Sequence, residues 1–203
     1  ANLFERCNGE IEIISNKSRH NRYLNNLFLY CEGQLTLRHG SNCLVSGNLF
    51  IGDEKEETEE SGIRIIGPEH RVINNMMIHL SGQRERGAIV LSDGVDGGEV
   101  NEYEPVRNAE IQGNNIINCH EPLVIGGFSG KKVTRGKVLD VPPTATLFQG
   151  NTIFGRLPFV RLLSTKQPGI LFQDNLMSTY SSGSVTLLKK VPLDLQNLPL
   201  CVK

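Results

Sequence analysis

Apolar and polar positions along the chain fall into two interleaved series. In the first, an Asn is followed by two apolar residues: Asn2-Leu3-Phe4, Asn26-Leu27-Phe28, Asn48-Leu49-Phe50 and Asn75-Met76-Met77, with looser copies at Asn114, Asn151 and Asn175. The successive spacings are 24, 22, 27, 39, 37 and 24 residues, and a short apolar run such as RYL, CLV or RVI precedes each copy after the first. The second series alternates apolar with other residues and falls between the Asn marks: Ile11/Ile13, Leu35/Leu37, Ile63/Ile65, Ile89/Leu91, Leu123/Ile125, Val160/Leu162 and Val185/Leu187. Repeats of this length without a helical period predict a solenoid of strands, a right-handed parallel β-helix of about seven coils. Its apolar pairs would stack as inward columns. Its Asn residues would form a ladder at a repeated bend, since Asn tolerates left-handed backbone and its amide can hydrogen-bond along the stack. An antiparallel sandwich needs tight hairpin turns, and the few candidates (Asn8-Gly9, Asp93-Gly94, Asp96-Gly97) are poorly placed for it.

The two long intervals imply loops inserted into regular coils. Residues 92–105 are Gly-rich and acidic, and residues 126–143 contain GGFSGKK and VPP. The Gly/Lys mixture lacks Walker spacing and no helix follows, so it reads as a loop rather than a phosphate cradle. The run DEKEETEE at 53–60 reads as a solvated loop. Residues 1–190 are expected to form one β-helix domain, with 191–203 as an irregular tail on the last coil. The first coil carries no visible cap, so preceding sequence or another chain is expected to cover it.

Composition narrows the class. The chain has 203 residues, 21 glycines, no tryptophan and a net charge of −1. That charge argues against a global field for nucleic acid or membrane, so neither is an expected partner. No apolar run approaches the roughly 18 to 20 residues of a membrane span, and no signal peptide opens the chain. The five cysteines show no CxxC spacing, which argues against zinc. Cys7, Cys31 and Cys119 each follow an Asn by five positions and read as small core residues.

The charged residues that call for explanation lie mostly between Gly9 and Gly40. Glu10 and Glu12 alternate with Ile11 and Ile13, Lys17 follows, and Arg38-His39 ends the run QLTLRH. Aligning the apolar columns puts Glu12, Thr36 and Arg64 in one outward file, with Glu10 beside Gln34. Glu10, Glu12, Lys17, Arg38, His39 and Arg64 would then share a patch on the order of 10 to 15 Å across. One plain alternative is a surface ladder in which Glu12 pairs with Lys17 or Arg64, worth about 0 to 1 kcal/mol per pair. Two carboxylates on one face otherwise need lysine, arginine or a hard cation such as Ca²⁺ between them.

The stretches GEIEIISNKS, LTLRHG and GIRIIG together resemble polysaccharide lyase family six, which includes alginate lyases and the dermatan-cleaving chondroitinase B. The resemblance implies a right-handed parallel β-helix and calcium-dependent β-elimination on an acidic, uronate-containing polysaccharide, with alginate favoured over dermatan or chondroitin. It implies that Glu10 and Glu12 help bind Ca²⁺, together with an asparagine upstream of Ala1. Lys17 is then the base and Arg38 the acid, while His39, Arg64 and Arg86 hold sugar carboxylates. Arginine is a poor proton donor, so Arg38 would stabilise the leaving oxygen while water or His39 supplies the proton. Such substrates lie outside the cytoplasm, so a periplasmic or secreted location is expected. Two other classes remain open: a non-catalytic glycan-binding β-helix, and an inactive part of a lyase.

Overall fold

Bends recur every few residues, so the strands are short and each coil gives one to each of three sheets. The computed structural model describes residues 1–188 apart from 54, 56, 100, 134, 135, 182 and 183, with the backbone alone at 180, 181 and 184–188. The first sheet runs through Leu3–Glu5, Leu27–Leu29, Leu49–Ile51, Met76–Ile78, Asn115–Ile117, Thr152–Gly155 and Leu176–Ser181, seven parallel rungs, and ends on Ser184–Leu188. The second sheet has six rungs: Glu12–Asn16, Gln34–Leu37, Ile63–Ile65, Ile89–Ser92, Leu123–Gly127 and Val160–Leu162. The third also has six, from Arg22–Leu24 to Ile170–Gln173. Among the described residues helix is confined to 3-10 turns, such as Arg84–Arg86. This is the parallel β-helix that the repeat predicts.

The core is a set of columns. Phe4, Phe28, Phe50, Met77, Ile116, Ile153 and Met177 follow one another in register along the first sheet. The first three rings stack nearly parallel, with centroids 4.6 and 4.4 Å apart. The predicted pairs from Leu35/Leu37 to Val160/Leu162 align rung by rung in the second sheet. Phe28, Phe50, Ile63, Ile65, Ile89 and Leu91 are fully buried. Cys31, Cys43 and Cys119 are buried free thiols, whereas Cys7 is half-buried. Burial pushes the Cys119 thiol up to about 12, which keeps it protonated and unreactive.

The Asn ladder is continuous. From Asn2 to Asn175, each Asn donates its backbone N–H and its side-chain amide to the Oδ1 of the next, at 2.8 to 3.1 Å. From Asn48 on, the same amide also donates to a carbonyl of the preceding coil. The left-handed position is not the ladder Asn but the residue before it: Asn25, Gly47, Asn74, Gly113, Gly150 and Asp174 have φ between 51° and 66°. The side chain that bonds and the backbone that bends are thus neighbours, not one residue.

Two parts of the expected register differ. At the first rung of the second sheet Glu12 pairs with Gln34 and Ile14 with Leu35, leaving Ile13 as a bulge. A bulge inserts one unpaired residue and re-aims the side chains beyond it. Consequently Ser15, not Glu12, shares the file of Thr36 and Arg64, and Glu12 rather than Glu10 lies beside Gln34. At the far end, Val185 and Leu187 are not a seventh rung of the second sheet. Their strand begins at Ser184, just after Ser181, and pairs antiparallel with Leu176–Ser181. So short a connection permits only a hairpin, because a parallel crossover needs many more residues. The expected tail at 191–203 lies outside the described residues. No helix of the described residues is long and apolar enough to cross a membrane.

Candidate functional site

Lys17 and Arg38 occupy equivalent positions, each the first residue beyond a second-sheet strand. One residue ties the two corners together. The Asn16 carbonyl accepts from the N–H groups of Arg38 and His39, both at 3.0 Å. Its side-chain amide donates to the carbonyls of Ser18 at 2.8 Å and His39 at 3.1 Å. Gly40 closes this corner at φ 89°, where a Cβ would stand 2.6 Å from the Ser18 carbonyl oxygen, so only glycine fits.

Glu12 sits between two guanidinium groups. Arg38 Nη1 donates to both of its oxygens, at 3.2 and 3.3 Å, and Arg64 Nη2 donates to Oε1. The Arg64 side chain is 3% exposed and that of Glu12 9%, so this is a buried charge cluster and not a surface ladder. Burial pushes the Arg64 guanidinium below its ordinary value, and the Glu12 carboxylate opposes that shift. Several polar atoms of the same wall have no hydrogen-bond partner: both amide atoms of Gln34, Thr36 Oγ1, and the Nε of Arg38 and Arg64.

The inserted loops roof this wall. Tyr103 stacks on the Arg38 guanidinium, 5.4 Å from ring centre to Cζ, and its ring lies 6.2 Å from that of His39. Phe128 lies beneath the Arg64 guanidinium at 4.9 Å. The two loops are joined to each other by an ion pair between Lys137 and Glu102 at 2.8 Å and by bridging between Gly94 and Val141. The result is a cleft of about 550 Å³ lined by Lys17, Arg38 and His39 together with Gly97, Gly98, Glu102 and Glu104 of the first insertion. Burial, and then the positive charges of Arg38 and Lys17, push His39 below its ordinary value, so it is a neutral imidazole at neutral pH.

The other two expected residues stand elsewhere along the wall. Glu10 is exposed and shares a shallow cleft with Glu32, Glu59 and Arg86. There Arg86 pairs with Glu59 at 2.7 Å and donates to the Glu32 carbonyl at 3.2 Å. Calcium takes 6 to 8 oxygens. Of its two expected ligands here, Glu12 is engaged by two arginines and Glu10 faces a different cleft. Among the described residues no group of three or more His, Cys, Asp or Glu side chains is arranged to hold a metal. The residues present do not by themselves make a calcium cage.

Tyr103, Phe128 and Asn16 were not singled out by the sequence. The two aromatics fall inside insertions that carry no period, and the only signal for them was the lengthened repeat. An amine, a guanidinium and an imidazole gathered under aromatic cover suit an anionic ligand whose protons are to be moved.

Known proteins share this fold. A PL6 family alginate lyase, AlyGC, superposes with a TM-score of 0.74 at 28% identity, covering 93% of this chain and 28% of its own. A mannuronic acid specific family 6 lyase from human gut microbiota gives 0.73 at 29%, covering 88% of this chain and 39% of its own. A PL6 polysaccharide lyase of Pseudopedobacter saltans, at 20% identity and a TM-score of 0.65, shares the fold and covers 97% of this chain and 52% of its own. This chain therefore spans well under two thirds of the length of these relatives. No relative was found among curated protein sequences. The Chondroitinase B family model matches residues 1–197, and with that match over nearly its whole length the chain belongs to the chondroitinase B family, polysaccharide lyase family 6.

Proposed function

We propose that the chain carries the catalytic wall of a lyase that cleaves an acidic polysaccharide by β-elimination at a uronate. The observation that carries this is the shared cleft of Lys17, Arg38 and His39. In such a reaction the base takes the C5 proton, the electron pair forms the C4–C5 double bond, and the C4–O4 bond breaks with O4 leaving as a hydroxyl. Lys17, in its neutral form, is the base. Arg38 faces the departing oxygen and stabilises its charge. Since a guanidinium keeps its proton up to pH values above about 12 and His39 is a neutral imidazole, water protonates O4. The substrate carboxylate must lose charge before C5 becomes acidic, and the cationic side chains of the wall supply that neutralisation.

Calcium at the same carboxylate would do likewise, with Glu10 and Glu12 as the implied ligands. For Glu12 that requires release from its two arginines, so the chemistry above rests on the chain's own cations. Alginate is the favoured substrate, because the two relatives above 25% identity are by name an alginate lyase and a mannuronic acid specific lyase. The name of the matching family model supports dermatan or chondroitin as a second choice. Such polymers lie in the periplasm or outside the cell, where the protein is proposed to act.

The test is to incubate the chain with alginate and with dermatan and follow the ultraviolet absorbance of the new double bond. Cleavage is expected, and Lys17→Ala is expected to abolish it with an unchanged circular dichroism spectrum. Undiminished activity in that variant rejects Lys17 as the base.

A further inference from the structure

The cleft that holds Lys17, Arg38 and His39 also takes in two cations that the reaction does not use, Arg19 and Arg107. Both are exposed, and among the described residues neither side chain enters an ion pair or a hydrogen bond. Elsewhere on this wall the arginines are committed: Arg38 and Arg64 to Glu12, and Arg86 to Glu59. An unpaired guanidinium on a cleft suits a carboxylate, which it can meet through two parallel N–H bonds. The carboxylates that line the cleft, Glu99, Glu102 and Glu104, all belong to the first insertion. Glu102 is taken up by Lys137 and by the Glu99 N–H. A polymer with an acidic edge would therefore turn that edge away from the insertion and toward the corners of the coils.

Backbone contacts between coils set the distance between the two arginines. The corner of Arg19 stacks on that of Gly40, with the His20 N–H donating to the Ser41 carbonyl at 3.0 Å. A Cβ on Gly67 would stand 2.9 Å from the Gly40 carbonyl oxygen, so the third corner lies directly on the second. The N–H groups of Gly67 and Glu69 in turn donate to the carbonyls of Glu104 and Arg107, at 2.8 and 2.7 Å. Arg19 and Arg107 are thus three coil spacings apart, roughly 14 Å along the axis. Between them Gly40 and Gly67 line the same cleft and present no side chain. A saccharide of several rings spans that distance.

We propose that Arg19 and Arg107 bind carboxylates of the uronates that flank the one being cleaved, in a polymer that lies along the axis over Gly40 and Gly67. The assignment rests on the uronate-lyase function above. The test uses the full chain and the variants Arg19→Gln, Arg107→Gln and Arg19→Gln/Arg107→Gln. The KM for long polyuronate is expected to rise about three-fold in each single variant and about ten-fold in the double one, as for loss of exposed ionic contacts. Its kcat is expected to hold, and the rise in KM to shrink as the oligomer is shortened. An unchanged KM, or a rise on the shortest cleavable oligomer as large as on the polymer, overturns the site. So does an equal rise in Arg22→Gln/Arg156→Gln, whose two exposed arginines lie outside the cleft. If the unaltered chain cleaves no uronate, the lyase function fails. Titration calorimetry with a long oligouronate then decides the two arginines separately: about ten-fold weaker binding by the double variant supports them, and equal binding or none overturns them.

Discussion

Glu12 holds two arginines at once, and both its energetics and its legibility turn on that. Removing one member of a buried ion cluster leaves an uncompensated charge, so Arg64→Ala is expected to cost about 3 to 5 kcal/mol in urea unfolding. Arg64→Ala/Glu12→Gln should lose less than the two single variants together, because the orphaned carboxylate is gone. A strictly additive double variant would mean that the two groups are not coupled. The sequence showed Glu12, Arg38 and Arg64 as charged residues at strand positions, and the apolar columns were enough to bring their strands together. It did not show the bulge at Ile13, because Ile11, Ile13 and Ile14 offer several plausible inward pairs and only packing selects one. Tyr103 and Phe128 were invisible for a related reason: aromatic partners supplied by an insertion obey no repeat.

At the scale of the element, the Asn ladder does for the first sheet's bend what a cap does for a helix. Asn75 is fully buried, donates to Val45, Ile73 and Asn114, and accepts from Asn48. Asn75→Ala strands several of those groups away from water and is expected to cost about 3 kcal/mol or more. Asn2→Ala, at the exposed end, should cost about 1 kcal/mol or less. Similar unfolding midpoints for the two would show that the ladder is ornament rather than support. The ladder was readable because its side chains repeat with the coil. The left-handed residues beside it were misassigned, since Gly, Asn and Asp share that position and none recurs alone.

Across the whole molecule, corners from successive coils brace one another, and His70 shows how that couples to pH. Its Nδ1 accepts from the Cys43 N–H at 3.2 Å, so Nε2 carries the hydrogen and donates to the Ile66 carbonyl at 3.0 Å. Burial holds the imidazole at about 4, below its ordinary 6.5. Protonation would set a second hydrogen against the Cys43 N–H. A group whose folded value is depressed contributes stability that is present above the unfolded value and lost as pH falls. The loss should therefore begin near 6.5 and be complete below about 4, roughly 3 kcal/mol in all. Urea midpoints from pH 7 to 4.5 should fall less steeply in His70→Gln than in the unaltered chain; parallel slopes would exclude His70 as the source. The overall architecture was legible because one period governs most of the chain. The far end was not, because an apolar alternation reads the same in a hairpin as in a rung.

The two longest insertions leave the spiral at one corner, the one beyond the second sheet, where the pairing slips by one residue between Leu91 and Ser92, and the third-sheet rungs that follow them pair without a slip. Lengthening or trimming that one turn would therefore reshape the overhang above Arg38 and Arg64. The spine of stacked rungs would stay as it is.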